Sequence, residues 1–134
     1  MGIFIPFRVM RAVNILLLLT CLAMVYSSCK RSEPQPDYAS IIEGTYIGTV
    51  TTGSTTVSGT TELVRFADTK VDMHITAGTH TLNIYGIMIT TSGNDLYYLS
   101  YSLAGNTLVG TVQGNLLTYT LASLTLNGTF TGSR

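Results

Sequence analysis

From Tyr38 to its last residue the chain has no cysteine and no proline, and it carries few charges. The missing cysteine excludes a disulfide and a thiolate metal site from that stretch, so its stability must come from an apolar core. A segment of roughly a hundred residues is long enough to build one. Only Arg65, Lys70 and Arg134 are basic there, against Glu43, Glu62, Asp68, Asp72 and Asp95. No basic face is available to collect phosphates, and no nucleic-acid partner is expected. The good helix formers Ala, Glu, Lys, Gln and Arg are scarce as well, whereas twenty-one threonines fall between Tyr38 and Arg134. Threonine is β-branched and suits a pleated surface that is wet on one side. The composition is that of one small all-β domain.

The N-terminal part reads differently. Met1 to Arg11 hold two arginines and no acid, and Ala12 to Tyr26 form a nearly unbroken apolar run. A positive end followed by an apolar segment too short for a comfortable membrane span is the layout of a signal peptide. Ser27 and Ser28 then precede Cys29, which resembles the lipobox cut by the lipoprotein signal peptidase. Cys21 competes as the acylation site, but cleavage there would leave Leu22 to Tyr26 as an exposed apolar stub. Cys29 is therefore the expected point of lipid attachment. The residues after it, Lys30-Arg31-Ser32-Glu33-Pro34-Gln35-Pro36-Asp37, are polar and twice interrupted by proline, as a tether would be. The expected organisation is a signal peptide over 1–28, a lipidated tether over 29–42 and a barrel domain over 43–134. An aspartate after the acylated cysteine would signal inner-membrane retention in enteric bacteria. Lys30 stands there instead, which points to the cell envelope at the outer membrane, on its periplasmic face or at the cell surface.

From Glu43 onward apolar residues recur at every second position, and each run ends at Gly, Asn, Ser or Asp. Period two marks half-buried strands. Tyr46, Gly48 and Val50 share one face. So do Val71, Met73, Ile75 and Ala77, with Asp72, His74 and Thr76 opposite. Leu82 with Ile84, Leu99 with Tyr101 and Leu103, Leu108 with Gly110 and Val112, and Leu117 with Tyr119 and Leu121 continue the pattern. A final run from Leu124 through Leu126 and Gly128 to Phe130 is expected to face inward. Gly93-Asn94, Gly105-Asn106 and Gly114-Asn115 predict tight hairpin turns. A bulge is expected near Leu63 and Val64, which break the alternation, and the continuous run from Ile84 to Thr91 has no assignable faces. Eight runs with short connections predict a small antiparallel up-and-down barrel of about eight strands, which removes the exposed edges of an open sheet. A two-sheet β-sandwich is the alternative. Inward glycines at positions 48, 110 and 128 favour the barrel, whose tight bends they would accommodate.

Gly44-Thr45-Tyr46-Ile47-Gly48-Thr49-Val50 at the start of the domain and Leu126-Asn127-Gly128-Thr129-Phe130-Thr131-Gly132-Ser133-Arg134 at its end resemble the calycin-like (lipocalin-like) barrel domains of Bacteroidota lipoproteins. In lipocalin-type calycins a Gly-x-Trp near the start packs against a basic residue at the end of the barrel. The resemblance puts Gly44, Tyr46 and Arg134 in those places, with tyrosine for tryptophan. It implies a secreted barrel that binds something, and it implies no catalytic residue.

Candidate chemistry is sparse. His74 and His80 flank the Ala77-Gly78 turn, but two histidines with Asp72 as the nearest carboxylate fall short of a metal site, and both are expected to be surface residues. There is no Gly-x-Ser-x-Gly elbow and no His-Glu-x-x-His helix. The acids fall at turns or on outward faces rather than as a pair across a cleft. Tyr46, Tyr101 and Tyr119 share the apolar face. They are candidate ligand-lining residues, since phenols suit a ligand with an apolar body and a few polar groups. The alternative is that they plug the barrel. The expectation is a lipid-anchored cell-envelope binding module with no enzymatic role and no cofactor. It is held to the membrane by its lipid and takes a small hydrophobic or amphipathic ligand in the barrel. A protein-interaction or protease-inhibitor-like lipoprotein acting on an envelope protein through its loops is the first alternative, and an enzyme of unknown reaction the second. Metabolic labelling with a fatty-acid analogue tests the anchor: Cys29→Ser should abolish incorporation and Cys21→Ser should leave it intact, and the reverse result would move the cleavage site.

Overall fold

The computed structural model describes residues 32–134, so the expected signal peptide and Cys29 lie outside the described residues. Residues Gln35–Arg134 form one compact unit. Its elements are a short helix α1 (Tyr38–Ile42) and eight strands: β1 (Gly44–Thr52), β2 (Thr55–Ala67), β3 (Lys70–Ala77), β4 (His80–Gly93), β5 (Leu96–Leu103), β6 (Asn106–Gln113), β7 (Leu116–Ala122) and β8 (Gly128–Ser133). Each strand pairs antiparallel with the next, and β8 pairs with β1, so the sheet closes into an up-and-down barrel. This is the barrel rather than the sandwich. The inward faces follow the period-two pattern closely. Tyr46 and Val50, then Val71 through Ala77, Leu108 and Val112, and Leu117 through Leu121 are all buried. At about 1.5–3 kcal/mol for each fully buried large side chain, this shared interior is what holds a chain without disulfides together.

Closure brings a stagger that the cross-strand register makes visible. A row of partners leaves β4 at Thr91, runs through Tyr97, Val112, Leu117, Gly132, Gly48, Gly59 and Ala77, and returns to β4 at His80. Strands in a closed barrel must tilt, and a row of hydrogen-bonded neighbours therefore climbs from one end of the barrel to the other. The row passes three adjacent glycines on β8, β1 and β2. A Cβ on Gly48 would overlap the Thr131 carbonyl, and one on Gly132 would run into the Phe130 ring. The glycines let the backbones of β1 and β8 approach and leave room for that ring.

Seven connections join the strands, and six of them are two-residue turns. Gly53, Gly78 and Gly114 each take the first turn position with φ near +58°, the Gly-first arrangement whose twist matches the strands. Two of the three Gly-Asn pairs are displaced by one residue from the expected place. The turn after β4 is Asn94-Asp95, with φ of 55° at both residues, and the turn after β5 is Ala104-Gly105, with φ of 52° and 79°. These are turns with both central residues left-handed, a conformation open to asparagine and aspartate but costly for alanine.

The unassigned run Ile84 to Thr91 is resolved by a bulge. Val71 pairs with Ile87 but Met73 with Ile84, so Tyr85 and Gly86 together stand opposite Asp72. Gly86 has a φ of 75°, and its N–H donates to Asp72 Oδ1 at 2.8 Å. The extra residue reverses the side-chain parity, which is why Ile84 and then Ile87 and Ile89 all face inward. On β2 the irregularity lies between Arg65 and Ala67, not at Leu63 and Val64. Leu63 is buried and Val64 faces out, in ordinary alternation. The last run is shorter than its periodicity suggests. Strand β8 begins only at Gly128, and Leu124, 91 % exposed, belongs to a loop.

The expected tether also ends earlier, because residues 38–42 are part of the domain. Asp37 caps α1 by accepting from the Ser40 N–H at 3.1 Å, and Ala39 and Ile42 bury the inner side of the turn. Ala39 N–H donates to the Asp68 carbonyl, the Tyr38 ring packs on Tyr97 with centroids 5.8 Å apart, and Arg65 bridges Asp37 and Asp68. The Ser40 amide first, and then the Arg65 guanidinium, hold the Asp37 carboxyl below its ordinary value. Helix α1 thus covers the barrel end that carries the Asp68-Thr69 and Asn94-Asp95 turns. Gly48→Ala should destabilise the domain by about 3 kcal/mol, because neither neighbouring backbone can yield to the new Cβ. Ala104→Gly should stabilise it by about 0.5–1 kcal/mol by relieving the left-handed alanine. Urea unfolding midpoints that moved in the opposite directions would overturn the assigned closure and turn.

Candidate functional site

The interior is filled through its middle. Tyr46 is fully buried, and its hydroxyl donates to the Ile42 carbonyl at 2.7 Å. The Tyr119 hydroxyl and Thr61 Oγ1 form a 2.8 Å hydrogen bond across the barrel, and the Tyr119 ring stacks on Phe130 with centroids 5.1 Å apart. Gly110, opposite Tyr119, gives that side chain its space: a Cβ there would come within 2.5 Å of the Tyr119 Cβ. Burial raises both phenol pKa values. At Tyr46 the Arg134 charge opposes the shift, and at Tyr119 the Thr61 hydrogen bond does so. Of the three tyrosines expected to line a ligand site, Tyr46 and Tyr119 are therefore packing residues whose hydroxyls are already engaged. Tyr101 is half-buried, packs against the same core and also lines a groove on the barrel wall. Neither the mouth cup nor the wall groove brings the three together.

Gly44, Tyr46 and Arg134 do meet. The Arg134 guanidinium lies over the Tyr46 ring, 5.5 Å from its centroid, and its side chain passes the place where a Gly44 Cβ would stand at 3.4 Å. Gly44 has a φ of 141°, a conformation that favours glycine. Arg134 Nη1 donates to the Glu43 carbonyl at 2.5 Å and Nη2 to the Ile41 carbonyl at 2.8 Å. The final side chain therefore also ties down the C-terminal end of α1, a role that sequence reasoning missed because it placed no helix there.

Space for a ligand lies at the opposite end, in the barrel mouth. An open cup of about 560 Å³ has Val50, Val57 and Ala77 as its apolar base and Leu126 on its far side. Thr52, Thr55 and His80, on the inward faces of β1, β2 and β4, form the rim. The loop that completes the cup is held in place by its own polar groups. Ser123 Oγ donates to the Leu126 carbonyl at 2.7 Å and accepts from the Leu126 N–H, Asn127 Oδ1 accepts from the Ser123 N–H, and Thr52 Oγ1 donates to the Asn127 carbonyl. The cup is preformed.

The two histidines do not converge. His74 is on the outer face, with Nδ1 2.9 Å from Asn83 Oδ1 and its ring edge-on to Tyr85, while His80 is at the rim. The Ala77–His80 and His74–Asn83 pairings put them on opposite faces of one hairpin. Among the described residues no group of three or more His, Cys, Asp or Glu side chains gathers as a metal site would require.

No protein-family model, curated protein or solved structure matches this chain. The roles given to these residues accordingly rest on their geometry. A double-mutant cycle tests the closure contact. Tyr46→Leu and Arg134→Gln should each destabilise the domain, with a coupling of about 0.5–1 kcal/mol measured by urea unfolding. Losses that simply add would mean that the two side chains are neighbours without interacting.

Proposed function

We propose that the protein is a lipid-anchored cell-envelope binding module, without a catalytic role, that holds a small amphipathic ligand in the mouth of its barrel. The cup is the observation that carries this reading. Its volume of about 560 Å³ lies within the usual range for small-molecule sites, and it combines an apolar base with a few fixed hydroxyl and amide groups. An apolar part of the ligand would rest on Val50, Val57, Ala77 and Leu126, and its polar part would meet Thr52, Thr55 and Asn127. The ligand is placed at the mouth and not deep in the barrel, because Tyr46, Tyr119 and Phe130 occupy the interior. Among the described residues of the lining His80 is the one titratable side chain, which favours a ligand of little or no charge.

The signal-peptide pattern and the small residues before Cys29 support the address. Within residues 35–134, α1 lies at the barrel end away from the cup. The binding test uses the unit 35–134 and the uncharged fluorescent probe N-phenylnaphthylamine. Ala77→Phe fills the base of the cup and should weaken probe binding by about tenfold or more, the equivalent of about 1.4 kcal/mol. Equal affinity in parent and variant would remove the mouth as the site.

A further inference from the structure

The hydrogen bonds that hold the mouth loop also fix the polarity of the groups left for a ligand. Thr52 Oγ1 is 2.6 Å from the Asn127 carbonyl oxygen. A carbonyl has no proton to give, so the single hydroxyl proton of Thr52 lies between the two oxygens. Thr52 Oγ1 then offers only lone pairs to any further partner. Asn127 Oδ1 is 2.6 Å from the Ser123 amide nitrogen. A backbone N–H only donates, so the carboxamide turns its oxygen toward Ser123 and its Nδ2 hydrogens away. Asn127 is exposed and lines the cup, which leaves those donors available. Ser123 offers nothing more. Its hydroxyl donates to the Leu126 carbonyl and accepts from the Thr125 and Leu126 N–H groups, which uses its proton and both lone pairs.

Two neighbouring residues of the lining are therefore of fixed and opposite kind, an acceptor at Thr52 and a donor at Asn127. Their closeness depends on Gly128. A Cβ there would stand 2.8 Å from Thr52 Oγ1 and 2.6 Å from the Thr51 carbonyl oxygen, so glycine is what lets the end of β1 and the start of β8 come together. The other polar side chains of the lining do not discriminate. The hydroxyls of Thr55, Thr79 and Thr125 rotate, and the two nitrogens of a neutral His80 ring exchange roles with the tautomer, so each adapts to either polarity. We propose that the cup selects a ligand whose uncharged polar group both donates and accepts a hydrogen bond, such as a hydroxyl or a carboxamide, over one that only accepts, such as an ether or an ester. The ligand group donates its proton to Thr52 Oγ1 and accepts from Asn127 Nδ2, while the apolar body rests on Val50, Val57, Ala77 and Leu126. An ether keeps the Asn127 bond and has no proton for Thr52. Thr52 and Asn127 are the specificity-determining pair, a role that rests on the mouth being the ligand site.

The experiment measures displacement of N-phenylnaphthylamine from the unit 35–134, which contains the whole closed sheet and its core. Two competitors are compared, naphthylethanol and its methyl ether, which differ in one proton donor. The readout is the ratio of their affinities, so the extra methyl of the ether and any loosening of the cup common to both cancel between parent and variant. Thr52→Val removes the acceptor and should weaken the alcohol relative to the ether by about three- to tenfold, the worth of one hydrogen bond. Thr52→Ser, which keeps a hydroxyl, should restore the parent ratio. Asn127→Asp still accepts from the Ser123 N–H but replaces the donor by an acceptor, so it should move the ratio the other way: only the alcohol has a proton to offer it. A ratio equal in parent and Thr52→Val, a ratio that moves the same way in Thr52→Val and Asn127→Asp, or failure of both competitors to displace a bound probe would overturn the proposed selectivity and leave the cup as a site. Absence of probe binding to the parent would remove the cup itself and the selectivity with it.

Discussion

The pairing of β8 with β1 is the constraint on which the rest of the molecule depends. Without it the threonine-rich sheet would end in two exposed edges, and the inward faces of its first and last strands would have nothing to pack against. The pairing requires the two backbones to come closer than side chains permit, and glycines at 48 and 132 allow that approach. Phe130 then lies over the space that Gly132 leaves and stacks on Tyr119, which reaches Thr61 on β2. A single line of contacts thus runs from the closing seam across the interior to β2. Closure and core are one feature.

The same line decides where a ligand is able to sit. Large aromatic side chains fill the middle of the barrel, and α1, held by Arg134 and by the Asp37–Arg65–Asp68 ion pairs, covers one end. What remains open is the mouth, where the inward positions of β1 and β2 are occupied by threonine and valine instead of aromatics. The tilt of the strands brings Ala77 and His80 to that mouth on the same row that starts beside the closed end at Tyr97. The bulge at Gly86 has an effect of its own. It restores the inward parity of Ile87 and Ile89.

Much of this fold was legible in the residues. Alternation placed Val71 to Ala77, Leu108 to Val112 and Leu117 to Leu121 on the correct face, because the side-chain period of a strand is a property of each segment taken alone. The inward glycines pointed to a barrel. Helix α1 was missed because five residues are too few to show a helical period, and its stability comes from the barrel end it covers. Leu124 and Leu126 kept strand alternation although a Ser123-centred loop claims them, since side-chain hydrogen bonds outcompete a period that only two residues carry. The three tyrosines shared a face as expected, yet a face is not a cavity.

By itself, then, the sequence determined that the chain is all-β, which residues of each regular strand face inward, and that its two ends carry the glycine, tyrosine and arginine that meet at the closure. Tertiary structure alone decided that the run after Ile84 changes parity at Gly86, that phenols fill the interior, and that the open space lies at the mouth and in a groove on the barrel wall. The physical reason is that alternation is written along one strand. Stagger, bulge phase and the volume left between side chains are relations among several strands, and they acquire values only when the sheet closes.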